Sequence, residues 1–254
     1  TAEDMDNADY NLAYEKYKER FADAGDFNFY FVGNIDETKL VELCETYLAS
    51  LPSTESNESY KVSNFRPLTG SHEKIVEKGE DPKSSVRITY HGPTDYDEKE
   101  AHALSSLAEV LSIKLIEKLR EEEGGVYGAG ANASISNMPY DWFRFNISFP
   151  CGPENVDTLI TATMKEVDLL INEGPTEKDL EKVKKAQILD YEEDLKTNRF
   201  WLGQLKNADY LKKDAHNILK FEDAVNSLTV ADLHSAAKKY LTQGYITGIH
   251  NPEQ

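Results

Sequence analysis

Arg120 and Tyr127 are seven residues apart in the run Leu119-Arg120-Glu121-Glu122-Glu123-Gly124-Gly125-Val126-Tyr127-Gly128. The run reads as the end of a long helix followed by the entry to a strand. A helix-to-strand corner of this length can bring the two side chains to one edge of a sheet. Arginine there supplies a forked cation for a carboxylate, and tyrosine supplies a hydroxyl donor beside it. The same spacing also fits an arginine that complements the helix dipole and an ordinary strand tyrosine. On spacing alone the second explanation is the simpler.

Other chemistry was sought and is missing. The histidines are His72, His91, His102, His216, His234 and His250, and none has another histidine within five residues, so neither His-Glu-x-x-His nor its inverse occurs. Asp4, Asp6 and Asp9 lack the glycine and terminal glutamate of a calcium loop and read as a solvated first helical turn. Gly128 and Gly130 have no third glycine opening a helix, so they do not form a dinucleotide loop. No Gly-x-Ser-x-Gly elbow is present. Cys44 and Cys151 are too few for a disulfide framework and read as buried free thiols. The chain shows no catalytic machinery of its own.

The elements that must carry Arg120 and Tyr127 are legible from periodicity. A helix is expected over about 97–123, with Leu104, Leu107, Leu111, Leu115 and Leu119 on one stripe. A hairpin follows, with arms at 126–136 and 141–149. In the returning arm Phe143, Phe145, Ile147 and Phe149 alternate with Trp142, Arg144, Asn146 and Ser148. One face of that sheet belongs in a core and the other is open. Further strands are expected at 72–78, 84–91 and 244–250. Helices are expected at about 2–22, 36–50, 154–173, 177–213, 221–226 and 230–241. Phe27, Phe29 and Phe31 alternate as a further strand. Phe200-Trp201, within the 177–213 helix, is expected to pack in a core.

Thr1-x-x-Asp4, Thr176-x-x-Asp179 and Thr229-x-x-Asp232 share one helix-start device, a hydroxyl cap with an acid at its third position. The stretches opened by Thr1 and Thr229 both read helix, break, strand, which is a weak internal repeat. Thr1 itself reads as the cap of a helix already under way, as in a piece of a longer chain. Pro52 to Ser63 has linker composition. The expected organisation is therefore 1–52 as the tail of a preceding similar domain, 53–63 as linker and 64–254 as a C-terminal domain. The fold class is α+β, a largely antiparallel sheet with helices packed on one face.

Composition bounds the partners. The 254 residues carry 28 Lys+Arg against 46 Asp+Glu, a formal charge of −18. That balance argues against nucleic acid and against an anionic membrane surface. No apolar run is long enough to span a bilayer.

The Leu119 to Gly128 segment resembles the Leu-Arg-Glu…Gly-x-x-Tyr segment of the pitrilysin/insulinase metallopeptidases. Tyr17-Lys18-Glu19-Arg20-Phe21 and Phe29-Tyr30-Phe31-Val32-Gly33-Asn34 resemble the helix and strand that end one of that family's repeated domains. Phe149 to Val156 and Asn198 to Leu202 resemble C-terminal segments of long bacterial members. The resemblance implies a zinc endopeptidase whose halves close around a peptide chamber. Its zinc ligands would lie outside this chain, in an N-terminal half of the same polypeptide, and this segment would bind no metal. It implies peptide or protein substrates, Arg120 and Tyr127 holding the substrate backbone, and a periplasmic or envelope location. Trp142 and Arg144, with Arg87 and Thr89, would line the chamber wall or else form a partly solvated sheet face. Glu121 to Glu123 read as a solvated helix end, or as selectors of basic peptide ends. The rival reading is a non-catalytic scaffold or peptide-binding subunit related to the family.

Overall fold

A computed structural model of the chain describes residues 1–54, 59–122 and 128–253, without the side chains of 120–122. The chain forms two compact units. One comprises Thr1–Lys61 and Asp194–Ile218, the other Val62–Glu193 and Leu219–Gln254. The first break falls inside the expected linker. The return of Asp194–Ile218 to the first unit has no counterpart in the sequence reading.

The second unit is built on a five-stranded sheet. Its strands are β1 (His72–Glu77), β2 (Ser84–Pro93), β3 (Gly130–Ser136), β4 (Trp142–Cys151) and β5 (Tyr245–Asn251), in the order β1-β5-β2-β4-β3. The β1–β5 pair is parallel, and the other three pairs are antiparallel. The phenylalanine alternation in β4 is realised: Phe143, Phe145, Ile147 and Phe149 are at most 1% exposed. Val86, Ile88 and Tyr90 of β2 join them in the core.

Helices cover that buried face. In this unit they are α4 (Glu98–Leu115), α5 (Val156–Asn172), α6 (Glu177–Asp194), α8 (Phe221–Ser227) and α9 (Val230–Tyr240), numbered after three helices of the first unit and with α7 lying in that unit. The leucine stripe of α4 is fully buried, including Leu119 on the wider-wound turn Ile116–Glu122 that continues the helix. Asp97 caps α4 by accepting from the Glu100 amide at 2.7 Å. Ser112 of α4 accepts from the Ala131 amide at 2.8 Å and donates to its carbonyl at 3.0 Å. Two backbone groups on the outer edge of β3 are thereby satisfied by a side chain. Thr229 and Asp232 form the expected capping box of α9, and Thr176 and Asp179 exchange the same bonds ahead of α6.

Gly244 marks a close approach between chain segments. A Cβ there would lie 2.6 Å from the Gly70 carbonyl carbon, and Gly70 itself has φ of 95°. The two glycines let the segment before β1 pass against the start of β5.

The first unit contains α1 (Ala2–Asp6), α2 (Tyr10–Phe21), α3 (Glu37–Leu43) with a wider turn over Cys44–Leu48, and α7 (Asn198–Tyr210). The single helix expected over 2–22 is interrupted, because Asp9 caps α2 by accepting from Asn11 and Leu12. The helix expected over 177–213 is likewise broken, with Thr197 accepting from the Phe200 amide at 3.2 Å. Residues 27–32 form no ladder among the described residues, so the helix-break-strand repeat is not reproduced there. Alternation marks a two-faced segment, but a strand also needs a neighbour to share its hydrogen bonds. Instead this segment packs beside α7, where Tyr30 donates a short hydrogen bond to Asp209. The Phe200-Trp201 pair is half-buried rather than a core pair, and Trp201 donates to the Leu195 carbonyl at 2.9 Å. Cys151 is buried and Cys44 only half-buried, both as free thiols.

Candidate functional site on the open sheet face

Arg120 falls on the wide turn that ends α4, and its side chain lies outside the described residues, as does the whole of Tyr127. Trp142 and Arg144 are described, and β4 places them on the sheet face opposite the helices. Register brings others to that face. Thr89 pairs with Asn146, His91 with Arg144, and Pro93 with Trp142. Because side chains alternate with period two, Arg87 shares this face as well.

Two chemical textures meet here. Across the middle, Thr89 donates to the Asn146 side-chain oxygen at 2.9 Å, and Asn146 donates to Asn132 at 3.2 Å. These three side chains form a polar ladder across β2, β4 and β3. Toward one end, aromatic groups stack. The His91 and Trp142 rings lie 5.8 Å apart and near-parallel, and Tyr140 meets Trp142 edge-on at 5.6 Å. The Arg66 guanidinium sits 3.7 Å from the Tyr140 ring centroid, a cation–π contact that ties the segment before β1 to the hairpin turn.

His91 is 7% exposed, and its Nδ1 has no hydrogen-bond partner; neither has the indole N–H of Trp142. Burial, helped by the Arg144 charge, holds the His91 imidazole below its usual 6.5 and favours the neutral ring. Around these groups lies a concavity of about 400 Å³ whose lining includes Arg87, Thr89, His91, Asn132, Arg144 and Asn146. A second hollow of about 570 Å³, lined in part by Lys74, Arg87 and His250, continues along the same face.

Among the described residues no three His, Cys, Asp or Glu side chains converge in a way that could hold a metal ion. The donor set of the described residues therefore does not fit a zinc site. His91 and Asn132 complete a surface whose other members, Trp142, Arg144, Arg87 and Thr89, are legible in the sequence. His91 carries no motif of its own, because its neighbours in sequence offer no second ligand. Its alternation with Thr89 was the available signal.

A largely antiparallel sheet with helices on one face and an open opposite face defines an α+β domain. Residues 12–187 match the family described as the peptidase M16 inactive domain, and the chain belongs to that family. Over 209 residues it is 24% identical to a PQQL-like zinc protease of Arabidopsis thaliana, covering 76% of this chain and 22% of that protein. It is 26% identical over 181 residues to the probable zinc protease PqqL of Haemophilus influenzae, covering 70% and 19% respectively. The fold is shared with the periplasmic protease PqqL of Escherichia coli, at a TM-score of 0.71 and 20% identity over 87% of this chain and 25% of that one. The chain thus spans about a quarter or less of the length of these relatives. No helix among the described residues is long and apolar enough to cross a membrane.

Proposed function

We propose that this chain is the C-terminal, substrate-holding portion of a zinc metalloendopeptidase, with the open sheet face as part of the wall against which peptide lies. The observation that carries this is the match to an inactive peptidase domain together with an open sheet face that presents a polar ladder beside aromatic and cationic side chains. The metal ligands are assigned to the remainder of the polypeptide, since the residues here do not fit them. Residues 1–52 are read as the tail of a preceding homologous domain. A periplasmic or envelope setting follows the E. coli relative.

In this reading Arg120 and Tyr127 act by donation. The guanidinium and the phenol hydroxyl hold a peptide carbonyl in place and favour charge that builds on its oxygen. Trp142 and Arg144 act more weakly, one offering an aromatic surface and the other a cation. Turnover of a peptide by the full-length protein tests this. Arg120→Ala is expected to cost about 2–4 kcal/mol of transition-state stabilisation, comparable to the loss of one oxyanion donor. Unchanged turnover would point instead to a scaffold or partner subunit. Trp142→Ala is expected to raise KM with little change in kcat, as befits ground-state contact.

A further inference from the structure

The sign of the charges on the open face is opposite to that of the protein. The chain carries 46 acidic residues. Yet the strand positions on this face hold none, and they carry Lys74, Arg87 and Arg144 with His72, His91 and His250. Neither Arg87 nor Arg144 has an ion-pair partner among the described residues, although both are exposed. Elsewhere lysines are matched to acids, as in Lys114–Asp179 at 3.1 Å and Lys239–Glu100 at 2.7 Å. The acids of β1, Glu73 and Glu77, alternate onto the opposite face.

The floor between these cations is low. Gly248 lies between Arg87 and Lys74 in one cross-strand row, and Ser148 is the other neighbour of Arg87. A Cβ on Gly248 would meet only the Arg87 carbonyl oxygen, at a van der Waals distance of 3.9 Å, so the glycine keeps this row free of a side chain. Arg87 and Arg144 belong to rows four residues apart, about 13 Å along the strands. An extended peptide spaces residues i and i+4 by the same distance.

We infer that this face binds an extended acidic peptide, taking carboxylates four residues apart on Arg87 and Arg144. The polar ladder in the Thr89–Asn146 row between them would meet its backbone. This rests on the reading of the face as a peptide-holding wall and adds its selectivity. The overall −18 charge opposes an acidic ligand only weakly at close range. Physiological salt screens exposed charges beyond about 8 Å, so the facing guanidinium groups decide the local sign.

Fluorescence anisotropy of the full chain with labelled heptapeptides tests it. The probes carry glutamate, glutamine or lysine at the second and sixth positions and are otherwise identical. The glutamate peptide is expected to bind about tenfold more tightly than the glutamine peptide at 0.15 M salt, with the gap closing as salt rises. Lysine should abolish binding. Arg87→Ala and Arg144→Ala, both exposed positions, should each weaken the glutamate peptide about threefold and narrow its advantage over the glutamine peptide. Equal binding of glutamate and glutamine peptides, or a double variant indistinguishable from the parent, overturns the inference. If all three peptides bind alike and Trp142→Ala weakens them all, charge selection falls while the peptide-wall reading stands. If none binds, both fall.

Discussion

The two units of this chain are supplied with similar apolar material and use it in opposite ways. In the second, Leu104, Leu107, Leu111, Phe143 and Phe145 are wholly removed from water. In the first, Tyr10 is 78% exposed, Tyr17 58% and Phe21 57%, and neither α2 nor α3 buries a single residue. Those aromatic side chains stack on one another, Tyr17 on Phe21 at 4.6 Å and Phe21 against Phe27 at 5.8 Å, without a layer above them. A helix gains most of its stability from an apolar stripe packed on a second layer. Among the described residues the sheet supplies that layer to the second unit. Amphipathic pattern is thus a request for a partner, and the partner decides whether it is met.

The sharpest way to break this contrast is to truncate side chains on both sides of it. Leu107→Ala should cost about 3–5 kcal/mol of stability, since it opens a cavity under the sheet. Tyr17→Ala should change stability by less than about 0.5 kcal/mol, as for other exposed substitutions. The two tryptophans allow each unit to be followed alone in urea, Trp142 reporting on the second and Trp201 on the first. Single-tryptophan variants should show a later, steeper transition for Trp142. Coincident transitions would mean that the units unfold as one.

Gly244→Ala probes the close approach between the segment before β1 and the start of β5. With backbone 2.6 Å from the new Cβ, the chain must shift, and a loss of about 1–3 kcal/mol in urea denaturation is expected. A smaller effect distinguishes the two identical capping boxes. Thr229→Ala should cost about 1 kcal/mol, because α9 carries Leu233 and Tyr240 into the core. Thr1→Ala should leave the urea midpoint unmoved, because α1 buries nothing.

The smallest expected effect is in pH dependence. His91 is held below 6.5 in the folded protein by burial and by Arg144. As pH falls below 6.5 the unfolded chain binds the proton first, so stability is lost until the folded imidazole also protonates. Urea midpoints at pH 7.5 and 5.5 should therefore fall further in the parent than in His91→Gln. Equal slopes would remove the histidine from the account.

Much of the second unit is legible in its sequence. The leucine stripe, the phenylalanine alternation, the Thr-x-x-Asp caps and the open-face positions of Trp142 and Arg144 all follow from spacings of a few residues. The strand over 27–32 and a core place for Phe200-Trp201 fail where a distant neighbour decides, and the unbroken helices over 2–22 and 177–213 fail at local caps. Side-chain capping by Asp9 and Thr197 was visible in residue type, but it competes with a helical period that reads straight through it. The site divides in the same way. Trp142 and Arg144 could be assigned to a face from β4 alone, whereas Lys74, Arg87 and Arg144 could not be seen as one cationic surface.

The sequence by itself determined most helices and strands of the second unit, which side of each is apolar and where several helices begin. Those properties depend on torsional preference and on periods of 2 and 3.6, which act over a single element. Tertiary structure alone decided the order β1-β5-β2-β4-β3, the return of Asp194–Ile218 to the first unit and the gathering of cations on a face without acids. Strand register is a relation between segments such as Lys74 and Gly248, far apart in the chain, and no local pattern encodes it. A charge acquires its neighbours only when the strands are paired.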